Sequence, residues 1–382
     1  MRIPKEITND SLESLYDNLD DDILNISMSF KSQRFGLLAR LCQFFITYLK
    51  YKPNTLIKFF QLESSDKSAI EKMLQDPQSL TALLMAENVF SKDVKKNNTV
   101  ERVELKSKIN HLIQNRLNKS VHKEGHRLQL FAVDHSISKY AYPSCFYQPA
   151  GTEELKQSGY YTELIRRFLE SSVKQTTLND REIGSLGDLI FELIENTEQH
   201  GKSDYEDGRS SRSVRGLIID YKMVSRNKKS QSIGGEDHII SEYLESFKVD
   251  DKPLHLLELS IFDSGAGIAK TLASSQNSNI SNINDEVDVV SKSFAKGITS
   301  KANKQGYGRG LNNVKNVLNE RRGFFSIRTG RISVYRNFNM NPLYDYEQEL
   351  LQLFDETNKS DNNFKELKTV EGLACSILVP LL

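Results

Sequence analysis

The chain has 382 residues, long enough for two or three domains and a substantial core, and its 51 basic and 51 acidic residues leave a formal net charge of zero. Zero net charge argues against a nucleic-acid partner held by bulk electrostatics. The three scattered cysteines, Cys42, Cys145 and Cys375, form no Cys-x-x-Cys pair and so suggest neither a disulfide framework nor a zinc site, which fits a cytoplasmic protein.

Met1-Arg2-Ile3-Pro4-Lys5-Glu6 lacks the apolar core of a leader, and no run of about 18 apolar residues exists, so neither secretion nor a membrane span is expected. Leu24, Ile26, Met28 and Phe30 alternate with Asn25, Ser27 and Ser29, the period of a half-buried strand. Leu37 to Tyr51 reads as an apolar helix, and beyond Pro53 the run Thr55 to Leu62 reads as a second strand. This β-helix-β unit, with helices expected at about 67–75 and 79–90, predicts a small α/β domain over residues 1–92. The polar residues 91–100 read as a linker. Lys92 to Arg127 is the most basic stretch, with ten Lys and Arg against four Asp and Glu, and reads as a solvated face. Residues 93–150 form a connecting α/β segment, with a helix from Leu105 to Leu117 and a strand from Arg127 to Asp134.

A helix at about 153–173 opens the last unit, residues 151–382. The next helix, Leu186 to His200, places Leu186, Ile190, Leu193 and Thr197 on one face, with Glu192 and Asn196 beside that stripe one turn apart. Glu195 and Glu198 read as surface acids and His200 as the helix end. Strands follow at Gly216 to Val224 and Leu254 to Asp263. In the second, Leu257, Leu259 and Ile261 alternate with Glu258 and Ser260, so one face packs on helices and the other is less apolar. The turn Asp263-Ser264-Gly265-Ala266-Gly267 closes this strand. A long polar segment, Lys270 to Gln305, comes next, with Asn277 to Asp285 read as a mobile loop. Gly306-Tyr307-Gly308-Arg309-Gly310-Leu311 then opens a helix to Glu320, and strands at Phe324 to Thr329 and Ser376 to Leu381 complete an α/β fold, a mixed sheet under one helical layer.

Taken in that order, the three boxes spell an ATP site, and they resemble those of the GHKL superfamily of gyrase, heat-shock chaperone, histidine-kinase and mismatch-repair ATPases. The resemblance covers about residues 180–382 and implies a Bergerat-type α/β sandwich with ATP on its helical side. It implies that Asn196 is the Mg²⁺ ligand, a hard oxygen donor that adds no charge toward the triphosphate. It implies that Glu192 is the catalytic carboxylate near the γ-phosphate, and that Asp263 accepts a hydrogen bond from the adenine amino group. Gly265 and Gly267 turn the backbone beneath the base. Gly306, Gly308, Arg309, Gly310 and Leu311 bring backbone N–H groups and a helix N-terminus to the phosphates, with Lys301, Lys304 or Arg309 as a possible cation and Lys270 to Gln305 as a lid.

Histidine kinases of the family commonly carry Asn where this chain has Glu192, whereas its ATPases and anti-sigma serine kinases carry Glu. None of His111, His122, His126 or His135 has the setting of a phospho-acceptor. The chain also ends at Leu382 without the transducer domain of gyrase-type machines, and Glu371-Gly372-Leu373-Ala374-Cys375 stands where the family has Gly-Thr. The N-terminal unit resembles the STAS-type domains that partner some GHKL kinases. The expected function is slow Mg²⁺-dependent ATP hydrolysis that gates contact with a protein partner or a second copy of the chain. The alternatives are a serine/threonine kinase of the anti-sigma type and an ATP-binding module that does not hydrolyse.

Overall fold

The computed structural model describes residues 1–382 except 28–29, 31–33, 64, 97–98, 120, 134–142, 149–153, 173–177, 202–211, 225–237, 248–252, 276–278, 298–309 and 345–349; for 92–96 and 99–103 it describes the backbone alone. The fold is α/β. Four strands, β1 (Ile23–Ile26), β2 (Leu56–Phe59), β3 (Asn88–Lys96) and β4 (Thr99–Glu104), form a sheet in that order. β1, β2 and β3 are parallel, and β4 turns back antiparallel. Around them lie helices α1 (Asn9–Leu15), α2 (Leu37–Tyr51), α3 (Lys67–Gln75), α4 (Pro77–Met85) and α5 (Lys106–Asn118). The expected helix at 79–90 thus ends at Met85. Of the expected linker at 91–100, residues 91–96 and 99–100 lie instead in a strand pair, with Asp93 opposite Arg102 and Lys96 opposite Thr99. Ladder pairing uses backbone groups, which a polar sequence supplies as well as an apolar one.

The second sheet has eight strands: β5 (Val121–Glu124), β6 (Arg127–Val133), β7 (Val214–Val224), β8 (Leu254–Asp263), β9 (Phe324–Gly330), β10 (Ile332–Asn337), β11 (Phe354–Asp355) and β12 (Val370–Pro380). Their order is β11-β10-β9-β12-β8-β7-β6-β5, and every neighbouring pair is antiparallel. Parallel pairing is thus confined to β1, β2 and β3 of the first sheet, and the eight-stranded sheet is antiparallel throughout. On one face lie α6 (Ser158–Ser172), α7 (Asp180–His200), α9 (Ile268–Ser275), α10 (Ile283–Ser293) and α11 (Gly310–Glu320), while α8 (His238–Glu245) packs near the far end of β8. The apolar stripe of α7, with Leu186, Ile190 and Leu193, meets Leu257, Leu259 and Ile261 of β8 in one core.

The opposite face of the large sheet is covered as well, by α2. Phe131, Val133, Val214, Ile218, Phe262 and Ala374 share a core with α2 and the rest of the N-terminal unit. Between these apolar contacts runs a polar seam. Gly36, Arg40, Gln43, Thr47 and Lys50, spaced four and three along the chain, lie along one side of the helix. The Gly36 N–H donates to Glu258 Oε1 at 3.0 Å, and Arg40 donates to Ser326 and Ser333 at 2.9 and 3.0 Å. Gln43 donates to the Arg328 carbonyl at 2.9 Å, and Thr47 accepts from the Glu371 N–H at 3.0 Å. The less apolar alternation of Glu258 and Ser260 is thus the surface that receives a buried helix. Burying so many polar groups is tolerable because nearly all find partners across the seam, the buried Gln43 Oε1 being an exception.

The Lys270 to Gln305 segment, read from its polarity as a loop, holds most of α9 and all of α10. Its Ser- and Asn-rich stretch encodes a capping box: Asn282 accepts from the Asp285 N–H at 3.0 Å, and the Asp285 carboxylate accepts from the Asn282 N–H at 3.1 Å. Val287, Val290 and Phe294 enter the core, and buried Glu286 accepts from the Arg331 N–H and Nε at 2.8 and 2.9 Å. Among the described residues no helix is long and apolar enough to cross a membrane.

Candidate functional site

Helix α7 is the spine of the site. Asn179 and Glu182 cap its start reciprocally, at 3.1 and 2.8 Å, and its apolar face is driven into the core, which leaves Glu192 and Asn196 half-buried at the boundary. Against them sits the start of α11. A Cβ added at Gly310 would lie 2.7 Å from Glu192 Oε2 and 3.7 Å from Asn196 Nδ2, so the helix end comes close enough that any side chain there would displace the Glu192 carboxylate. Asn196 Nδ2 is buried and makes no hydrogen bond. A half-turn of the amide would put Oδ1 in its place, an oxygen donor directed beside the Glu192 carboxylate. Leu311 packs its side chain against the main core.

The other end of α7 meets the second box. His200 closes the helix, and its carbonyl lies where a Cβ on Gly265 would fall, at 1.8 Å. Asp263, the last residue of β8, is 4 % exposed, and its Oδ1 accepts from the Gly265 N–H at 2.9 Å. Burial pushes its carboxyl up to about 6, against the opposing pull of the Gly265 N–H, the Lys50 and Arg215 cations and the Leu373 N–H. Gly267 takes a positive φ of 86°, and the Gly372 N–H donates to the Gly265 carbonyl at 2.7 Å.

Glu192, Asn196 and Gly310 therefore form one cluster, and Asp263, Gly265 and Gly267 a second, joined by the last turns of α7. Gly306, Gly308 and Arg309, with Lys301 and Lys304, lie outside the described residues. Glu198 is a correction: read as a surface acid, it accepts from buried Arg215 Nη2 at 2.6 Å. The same guanidinium reaches Tyr147 Oη at 2.6 Å, and Tyr147 in turn donates to Glu198.

Sequence reasoning also missed Thr329 and Lys50. The last-strand departure has a structural counterpart in a β-bulge between Val370 and Leu373. There Thr329, from the neighbouring strand, donates its hydroxyl to the Gly372 carbonyl at 3.0 Å and accepts from the Ile268 N–H at 3.3 Å. No local pattern signals this residue, because its partners lie far off in the sequence.

Among the described residues no group of three or more His, Cys, Asp or Glu is arranged to hold a metal. Glu192 and Asn196 instead fit a cation that arrives with its own phosphate ligands, as Mg²⁺ does, since such a site needs only one or two protein oxygens. No protein-family model matches this chain, and no curated protein matches it.

Proposed function

We propose that this protein binds Mg²⁺–ATP in the manner of the GHKL ATPases and hydrolyses it slowly, so that nucleotide occupancy gates contact with a protein partner or a second copy of the chain. One observation carries the reading. The carboxylate of Glu192 and the amide of Asn196, in the C-terminal half of α7, stand together against the N-terminus of α11, while buried Asp263 stands at the C-terminal end of α7. Gly201 lies nine residues after Glu192, a rise of about 13.5 Å at 1.5 Å per residue, the scale of a nucleotide with its base at one end and its γ-phosphate at the other.

In this reading Asp263 accepts from the exocyclic amino group of adenine, a donor that guanine lacks at that position, so the wrong base leaves a buried acceptor unpaired. The N-terminus of α11 faces the phosphates with its positive dipole end. Asn196 holds Mg²⁺, which neutralises charge on the phosphate oxygens when bound. Glu192 orients a water, takes its proton as the oxygen attacks the γ-phosphorus, and the bond to the bridging oxygen breaks. The buried, unpaired Cys42, Cys145 and Cys375 suit the cytoplasmic setting we propose.

Substituting Glu192→Gln tests the assignment. The variant should bind Mg²⁺–ATP as the parent does and release no phosphate; unchanged turnover removes Glu192 from the chemistry. With γ-labelled ATP, label retained on a Ser or Thr would favour the kinase, and full occupancy without phosphate release the non-hydrolysing module.

A further inference from the structure

The N-terminal unit reaches the candidate nucleotide site through one side chain. Lys50, at the end of the α2 seam, passes its ammonium to the Ser264 carbonyl, inside the turn that follows Asp263, and pairs with Glu371 Oε2 at 3.3 Å. Glu371 and Gly372 form the bulge of β12, and α2 grips that bulge twice more: Thr47 accepts the Glu371 N–H, and Gln43 donates to the Glu371 carbonyl at 3.3 Å. From the bulge, the Gly372 N–H holds the Gly265 carbonyl. Both strands that frame the turn are thus tied to one helix from outside the ATP-binding half.

We infer that Lys50 is a positioning residue of the nucleotide site, through which the N-terminal unit sets how well the Asp263–Gly267 turn receives the base. The inference rests on the reading of Asp263 as the adenine acceptor. Its geometry is specific: a cation on the Ser264 carbonyl fixes the peptide next to Asp263, and the same charge favours the carboxylate over the acid. Among the described residues, the other charged groups near Asp263 are Arg215 of β7, paired to Glu198 of α7, and Glu371 of β12. Lys50 and Arg215 favour ionisation, so losing Lys50 leaves Asp263 more readily protonated and its turn less fixed.

Mg²⁺–ATP is titrated into the full chain, parent and Lys50→Met and Lys50→Arg variants, from pH 5 to 8. Lys50→Met should bind about tenfold or more weakly at pH 7, in line with loss of a charged hydrogen bond, and the pH midpoint of binding should move up. Lys50→Arg, which keeps a cation on the carbonyl, should restore most of the affinity. A parent-like Lys50→Met, or one that weakens with no movement of the pH midpoint, overturns the inference and leaves the ATP site standing. A parent chain that binds no ATP overturns the functional reading, and this inference with it. Urea unfolding without nucleotide gives a separate readout: Lys50→Met should raise the pH at which Asp263 lowers stability, and an unmoved profile would count against Lys50.

Discussion

Replacing Asp263 by Asn removes a buried charge while keeping the size of the side chain. The carboxyl is pushed up to about 6 from an ordinary 3.8, so between those values the folded chain holds a proton that the unfolded chain gives up. Stability tied to this group is complete below about pH 4 and is lost as pH rises through 6. A difference of roughly two units, at about 1.4 kcal/mol each, makes the ionised group cost about 3 kcal/mol above pH 7. Asp263 is almost fully buried, so solvent does little to screen that cost. Asp263→Asn is neutral at every pH and escapes it. Urea unfolding of parent and variant should therefore show a gap that grows from near zero at pH 4 to about 3 kcal/mol in favour of Asn at pH 8. The same variant should lose ATP affinity, the exchange of stability for function expected where a site holds a charge in a dry place. A variant less stable than the parent at pH 8, or a gap that does not change with pH, would refute the reasoning. It would mean that the Gly265 and Leu373 N–H groups, Lys50 and Arg215 more than offset desolvation.

Gly310→Ala places a methyl 2.7 Å from Glu192 Oε2, and since the carboxylate sits on a flexible stem it can swing aside. Melting should show stability held or raised by up to about 1 kcal/mol, as Ala favours a helix, while phosphate release falls about tenfold or more; normal turnover would detach Gly310 from the site. Gly265→Ala meets backbone instead, the His200 carbonyl at 1.8 Å, and should cost about 3 kcal/mol or more in chemical denaturation. Arg215→Met removes the buried guanidinium that pairs with the half-buried Glu198 and should destabilise by about 3–5 kcal/mol. Arg215→Met with Glu198→Met should recover much of that loss, which a double-mutant cycle of unfolding free energies will measure.

Elements written in neighbouring residues were the legible ones. The apolar run 37–51 is the helix α2 with the same ends, and the alternation in 254–263 is the strand β8. Polarity misled where it was taken to mean loop: 91–96 and 99–100 pair as strands, and 270–305 carries most of α9 and all of α10, with Val287, Val290 and Phe294 buried. At 91–100 backbone ladder pairing needed no apolar residues; at 270–305 a few buried groups outweighed the polar residues around them, and which groups are buried depends on partners elsewhere in the chain.

By itself the sequence determined local periods and the order of the three boxes, because helix stripes, strand alternation and capping pairs act between residues two to four apart. Only the tertiary structure decided that α2 of the N-terminal unit lies on the back of the large sheet, that Lys50 reaches Ser264, that Glu198 is paired with Arg215, and that Thr329 serves the bulge at Gly372. Those contacts join residues that strand order brings side by side. Sheet order is set by how whole faces bury one another, and no short stretch of sequence carries that information.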